Sequence, residues 1–323
     1  MVQIKDVAKR AGCGTSTVSR VLNNSGYVSK ETRERIERAI KELKYVPNQM
    51  GRNLKRLSSH LVALFVPTIS HPFFSKIAYY IENYLYKYGF RMIIVSSQDN
   101  KEKEVKLLDM IKNKQVDGII FITTHIHDDV NFEGMSIVTL DRKIPGVPCI
   151  ASNNYESTYE AVEYLVKLGC KKIGYIGGLT KVGSEVEKRY EAYCDVMNKY
   201  QLEIIDCRKE ILHGEEYNIS KEFIDENPDL DAIFAQSDIF AHCCYLIELQ
   251  RGRKIPEDIK IVGYDGVMDE IYQHPTFTVV RQNLDKLSEK IVQQLVRRMK
   301  KKKCEKLSIV PADFIIGETT EVK

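Results

Sequence analysis

The sequence predicts a small all-α head built around a helix-turn-helix, followed by an α/β body of two Rossmann-like lobes. Three observations carry this expectation. Residues 1–60 read as short amphipathic helices, and from Leu61 onward apolar strands alternate with helices in two successive series. Charge divides at the same place. Residues 1–60 carry 13 Lys and Arg against 5 Asp and Glu, a net of +8, whereas the remainder carries 35 against 40. A basic head on a mildly acidic body is the balance expected when only the head meets a polyanion.

In the head, Ile4, Val7, Ala8 and Ala11 fall on one helical face. Gly12-Cys13-Gly14 breaks the pattern, since glycine can take the positive φ of a sharp turn. A second helix is expected from Thr15-Ser16, whose hydroxyls suit an N-cap, with Val18, Val21 and Leu22 on its buried side. An ordinary helical hairpin is the competing reading of this stretch alone. Asn23-Asn-Ser-Gly-Tyr27 reads as a loop. Ser29 then caps a third helix with the apolar stripe Ile36, Ala39, Ile40 and Leu43, and Tyr45-Val-Pro47 ends it. Asn48 to Leu57 reads as a short hinge helix carrying Met50, Leu54 and Leu57 among Arg52, Lys55 and Arg56. With Gly51 inside it, so short a helix is marginal alone and is expected to fold only against a partner.

In the body, strands are expected at Leu61–Val66, Arg91–Val95, Gly118–Ile122 and Ser136–Leu140, with helices over Phe73–Tyr88 and Glu104–Asn113. A second series runs through a helix near Ser157–Leu168, strand Lys172–Ile176, helix Glu185–Tyr200 and strand Asp231–Ala235. Helix Ile239–Gln250, strands Ile259–Gly263 and Phe277–Val280, and helix Leu284–Lys300 follow. Two open α/β units place a ligand in the crevice between them, beyond the strand C-termini.

The 323 residues suffice for two or three domains. No apolar run approaches a membrane span and no signal-peptide core is visible. The eight cysteines show no C-x-x-C spacing, which speaks against zinc and favours reduced thiols in a cytosol. His125-Ile-His-Asp-Asp129 has metal-ligand residue types but reads as a solvated loop, so no metal is expected. Arg297–Lys303 reads as a solvated helix end, and Gly174-Tyr-Ile-Gly-Gly178 as a turn. Neither a nucleotide-binding loop nor a nucleophile elbow appears, so no cofactor and no enzymatic activity is expected.

The motifs resemble the LacI/GalR family of bacterial transcription regulators. Ile4-Lys-Asp-Val-Ala-Lys-Arg-Ala-Gly12 and Ser16-Thr-Val-Ser-Arg-Val-Leu-Asn-Asn24 match that family's head signature. Leu43-Lys-Tyr-Val-Pro-Asn48 and Arg52-Asn-Leu54 resemble its third-helix exit and hinge. In the body, His71-Pro-Phe-Phe74, Leu140-Asp-Arg142, Lys188-Arg-Tyr190, Ser237-Asp238 and Val262-Gly-Tyr-Asp265 keep its order. The resemblance covers nearly the whole chain. It implies a head at 1–47, a hinge and linker at 48–60, and an effector-binding body at 61–323 like the periplasmic sugar-binding proteins. The lobes would span about 61–156 plus 285–316, and about 157–284.

The resemblance further implies a cytoplasmic homodimer that binds double-stranded operator DNA. Thr15, Ser16 and Arg20 would face base edges, with Thr17, Tyr27, Ser29 and Thr32 on phosphates. Leu54, with Lys55 beside it, would wedge into the minor groove. Phe73, Phe74, Asp141, Arg189, Ser237, Asp238 and Asp265 would meet a small-molecule effector, a sugar or sugar phosphate. Gly51 where the family usually has alanine, Ser237 where it often has asparagine, and Asn153-Asn154 for Asp-Asn are departures. The implied activity is repression of a carbohydrate-utilisation operon. Control by a protein co-regulator docking on the body is the alternative, and an enzyme on a doubly wound fold the remote one.

Overall fold

A computed structural model describes residues 2–45, 58–179, 183–210, 214–268 and 275–321. The chain divides into two compact units, Met1–Ser59 and His60–Lys323. The hinge reading, with Leu54 and Lys55, lies outside the described residues.

The head contains α1 (Ile4–Ala11), α2 (Thr15–Asn23) and α3 (Lys30–Glu42). Gln3 caps α1: its N–H donates to Asp6 Oδ2 at 2.7 Å, and Gly12 ends the helix at φ 65°. The cap of α2 differs from the expectation. Gly14 occupies it with no side-chain bond, so Thr15 and Ser16 begin the helix with their hydroxyls unspent on capping. Ser29 caps α3 as expected, its Oγ accepting from Thr32 N at 3.4 Å. Val7, Ala8, Ala11, Val18, Val21, Ile36, Ala39 and Tyr45 form the core, with Leu22, Ile40 and Leu43 half-buried against it.

The first lobe is a six-stranded, wholly parallel sheet in the order β11-β5-β4-β3-β1-β2. Its strands are β1 (Leu61–Val66), β2 (Arg91–Ser96), β3 (Gly118–Phe121), β4 (Ile137–Leu140), β5 (Cys149–Ser152) and β11 (Leu307–Val310). Buried on both faces, β1 and β3–β5 are dominated by apolar residues, with Thr139 and Ser152 the buried polar exceptions. Helices α4 (Pro72–Lys87) and α10 (Leu284–Met299) cover one face, and α5 (Lys101–Lys112) the other.

The second lobe is a six-stranded sheet ordered β12-β10-β9-β8-β6-β7, parallel except for β12. It comprises β6 (Ile173–Gly178), β7 (Ile205–Lys209), β8 (Ala232–Ala235), β9 (Lys260–Asp265), β10 (Thr278–Arg281) and β12 (Asp313–Ile315). Helices α6 (Asn154–Lys167) and α7 (Glu187–Lys199) lie on one face, α8 (Glu216–Glu226) and α9 (Asp238–Gln250) on the other.

Two sequence assignments change. Residues 313–315 were expected in the first lobe, yet they pair antiparallel with β10, Val280 opposite Phe314, and so complete the second sheet. Gly174–Gly178 is strand rather than turn: it pairs in parallel with β7 along its length and with β8 over Gly174–Ile176, and the missing side chain at Gly174 leaves room for Phe223 and Leu230.

The chain crosses between lobes three times, after β5, β10 and β11. The crossings bind one another. Asn153 N donates to Val310 O at 3.2 Å, Ala312 N to Asn153 Oδ1 at 2.7 Å, and Ser152 Oγ to Gln282 Oε1 at 2.5 Å.

Because head and body are separate units, their stabilities should separate. Ile36→Ala removes a fully buried side chain from the small head core, at a cost of about 2–5 kcal/mol. Calorimetry should show the head melting earlier, with the body transition unmoved.

Candidate functional site

In the head, one face of α2 is buried through Val18 and Val21, which leaves Thr15, Ser16 and Arg20 exposed. Ser16 and Arg20, four apart, share one side of the helix. Gly26 takes φ +73°, a turn conformation that favours glycine, and the Arg20 side chain lies in ordinary van der Waals reach of it. Thr17 is half-buried and Tyr27 is 90% exposed. Ser29 and Thr32 are partly spent on each other, Ser29 Oγ donating to Thr32 Oγ1 at 2.8 Å at the start of α3. The head thus carries an exposed polar face on α2, an exposed tyrosine, and the N-terminus of α3. Such a terminus attracts phosphate.

In the body, the polar groups collect where strands end and lobes meet. Arg189 on α7 is 4% exposed. Its Nε donates to Asn154 Oδ1 at 2.7 Å and its Nη1 to Gln236 O at 2.8 Å, and Nη1 stands 3.6 Å from Asp265 Oδ1. The guanidinium carbon sits 3.5 Å above the centre of the Tyr264 ring, a cation–π contact. Asn154 also donates to Asp141 Oδ1 at 3.2 Å, linking the end of β4 in the first lobe to Arg189 in the second. Gln282 donates to Asp265 Oδ1 at 2.8 Å and holds Ser152 with its other end. Asp141 and Asp265 both take positive φ, 55° and 90°, conformations that cost energy and collect at functional sites.

Beside this cluster the lobes touch directly. Arg142 and Ser184 form an antiparallel bridge, Lys143 N donates to Gly183 O at 2.8 Å, and Glu185 N donates to Asp141 O at 2.8 Å. The Glu185 carboxylate pairs with Lys143 of the first lobe and with Lys188 at 2.8 Å. Burial pushes that carboxyl up, and the two ammonium groups pull it below its ordinary range. On another flank, Lys76 Nζ donates to Val267 O at 2.8 Å.

The seven effector candidates are thus not equivalent. Asp141, Arg189 and Asp265 are brought together. Asp238 is spent on structure: its two oxygens accept from Gly266 N at 3.2 Å and Val267 N at 2.7 Å, fixing the turn after β9. Burial, then the nearby Asp265 carboxylate, raises the Asp238 carboxyl above its ordinary value. Ser237 is half-buried at the N-cap of α9 without a capping bond. Phe73 is 6% exposed in the first-lobe core, so its ring has little free face. Phe74 lines a 300 Å³ surface cavity with Val66, Ile69, Ser75, Ala78, Ile94 and Ser96, a set that includes none of the polar cluster.

Asn154, Tyr264, Gln236 and Gln282 were missed as site residues. A signal existed for the glutamines, since each immediately follows a strand, as Asp141 does. Elsewhere, His127 is not solvated: its ring is buried and lies 2.7 Å from Glu104 Oε2. Among the described residues no group of three potential ligands could hold a metal.

The comparisons with known proteins follow these two sites. Residues 3–48 match the family model of bacterial regulatory proteins, lacI family, and residues 59–318 match periplasmic binding proteins and sugar binding domain of LacI family. The chain belongs to the LacI family. It is similar to the ribose operon repressor of Halalkalibacterium halodurans, 33% identical over 99% of this chain and 98% of that protein. The sucrose operon repressor of Streptococcus mutans is 32% identical over 99% of each. In fold, this LacI-family chain resembles a Lac repressor dimer bound to operator and the anti-inducer ONPF, with TM-score 0.87 and 23% identity over 99% of both chains. The cellobiose complex of the regulator CelR gives 0.71 at 25% identity, over 99% of this chain and 100% of that one. As a LacI-family member the protein is a DNA-binding transcription regulator with an effector-binding body, and not an enzyme. Among the described residues no helix is long and apolar enough to cross a membrane.

Burial raises the Asp141 carboxyl from 3.8 to about 6, outweighing the opposing pull of Arg189 and the Asn154 bond. The folded protein therefore holds this proton more tightly than the unfolded chain. That contribution to stability is complete below about pH 4 and is lost as pH rises through about 6. Asp141→Asn should flatten denaturation midpoints across this window and stabilise the effector-free protein at pH 7 by about 1–2 kcal/mol.

Proposed function

We propose that the protein is a cytoplasmic, homodimeric repressor of a carbohydrate-utilisation operon, whose operator affinity is set by a sugar bound between the lobes of the body. The observation that carries the reading is the Asp141–Asn154–Arg189–Asp265 chain, which runs from the first lobe to the second. Carboxylate and guanidinium groups at strand and helix ends pair well with sugar hydroxyls. The relatives' names, ribose and sucrose operon repressors, support the same effector class.

In this reading, Arg20 pairs with guanine O6 and N7 in the major groove, and Thr15 and Ser16 make permissive contacts beside it. Thr17, Tyr27, Ser29 and Thr32 set the register on phosphates. Leu54 and Lys55 of the hinge enter the minor groove and bend the duplex. Two heads on one dimer then read two half-sites of a symmetric operator. A ligand that binds one lobe arrangement better than the other shifts the population between them, and with it the spacing of the heads. The inter-lobe contacts of Lys143 with Glu185 and of Lys76 with Val267 are part of what such a shift must break or make.

Gel shifts test the reading. Removing residues 1–57 should abolish operator binding, and retained affinity would refute it. Arg20→Ala should cost about 1–3 kcal/mol on the operator and relax selectivity at one base pair. Thr17→Ala should weaken operator and unrelated DNA alike and lower the salt dependence.

A further inference from the structure

The first lobe carries a strongly basic edge that neither the head nor the cleft uses. Its sheet is wholly parallel, so its strands all start along one edge, at Leu61, Arg91, Gly118, Ile137, Cys149 and Leu307. Lys300-Lys-Lys-Lys303 follows α10 at this edge, and Lys306 precedes β11. These lysines are exposed, and among the described residues none of them has a side-chain hydrogen bond or an ion pair. The helix macrodipole accounts for cations in the last turn, not for a run beyond it. The last-turn arginines are spent on carbonyls. Arg297 donates through Nε and Nη2 to Lys303 O at 3.1 and 2.8 Å, which folds the run back on the helix. Arg298 donates to Met135 O at 2.6 Å and to Gly146 O at 2.9 Å, in the loops before β4 and β5. The lysines are thereby held at the strand-start edge with their ammonium groups unspent.

The chain enters the body at the same edge. His60 O accepts from Arg91 N at 2.9 Å, and its ring stands 6.1 Å from that of Phe90. A cavity of about 260 Å³ brings Tyr88, two residues before Phe90, beside Arg297, Lys300 and Lys302. Arg91 and Lys114 add exposed cations at the start of β2 and just ahead of β3. Of the nearby carboxylates, Asp117 accepts from His60 N at 2.8 Å and Glu305 pairs with Lys290 at 2.9 Å, while Glu133 is exposed. The edge is left with an excess of positive charge.

A duplex backbone fits this surface. Ammonium groups on flexible stems are point charges that suit repeated phosphates and carry no base readout. An acidic protein would call for buried apolar anchors and few lysines, whereas this edge offers lysines around Tyr88. Residues 46–57 connect the head to this edge, so DNA captured by the head is presented to it at high effective concentration. We propose that the strand-start edge of the first lobe is a second DNA contact, in which Lys300–Lys303 and Lys306 meet phosphates of the duplex that the head holds. It adds affinity and salt dependence without sequence selectivity.

Fluorescence anisotropy of the full-length protein on a mixed-sequence duplex several helical turns long, over a series of salt concentrations, tests this. The combined variant Lys300→Gln, Lys302→Gln, Lys303→Gln and Lys306→Gln should lower the slope of log affinity against log salt by about 2–3 and weaken low-salt binding at least about tenfold. Arginine at the same four positions should restore both. A control with Lys167→Gln, Lys171→Gln, Lys221→Gln and Lys254→Gln removes equal charge from exposed sites of the second lobe and should leave the slope in place. An operator duplex selected from random sequence should lose as much as the mixed one, with melting profiles unchanged. An unaltered slope would overturn the proposal. So would an equal fall in the control, which would make net charge the cause, or a loss confined to the operator. Absence of binding by the unsubstituted protein would remove the DNA reading and this proposal together.

Discussion

The body depends on how Arg189 is held. A buried guanidinium is costly unless each of its faces and edges is answered, and here the answers come from different segments. Tyr264 supplies the ring face, Asn154 and the Gln236 carbonyl take two nitrogens, and Asp265 supplies counter-charge. Those partners sit at the start of α6 and at the ends of β8 and β9, so one side chain ties the first inter-lobe crossing to the second sheet. Asn154 passes the tie on to Asp141 at the end of β4. Satisfying this cation and orienting the two lobes are the same physical problem.

That coupling holds two residues here in strained backbone. Asp141 and Asp265 hold positive φ, which for a non-glycine residue persists only when surrounding contacts over-determine it. Asp141 N donates to Ile150 O, and its carbonyl accepts from Glu185 N of the other lobe. Gln282 N donates to Asp265 O while its side chain grips the same residue's carboxylate. A movement of one lobe must therefore change several bonds together. Concerted change of that kind lets a small ligand bias two discrete arrangements rather than deform one continuously.

The head works by the opposite logic. Its buried face is small and apolar, and Thr15, Ser16, Arg20 and Tyr27, proposed to meet DNA, are exposed. Its polar surface is left free to be satisfied by base edges and phosphates. In the body, by contrast, the polar groups between the lobes are largely satisfied by one another.

The sequence alone determined the local order, the head helices and the parallel-sheet pattern from Leu61 onward, while Asp141, Arg189 and Asp265 came from the family resemblance and the structure brings them together. Helix and strand periods are local signals, and motif spacing survives without knowing the packing. Elements without a clear local signal escaped. Strand β7, Ile205-Asp-Cys-Arg-Lys209, is an edge strand rich in charge, and β12 is three residues defined only by its pairing with β10. Helix α8 carries a helical apolar stripe in Ile219, Phe223 and Ile224, short and between charged loops. Tertiary structure decided the rest. Asp238 and Asp265 look alike in sequence, yet three-dimensional contacts commit the first to backbone amides and the second to the side chains of Gln282 and Arg189. Phe73 and Phe74 are neighbours in the chain, but helix rotation buries one in the core and sets the other on a surface cavity. Which polar group is still unsatisfied depends on every partner within reach, and those partners come together only when the chain has folded.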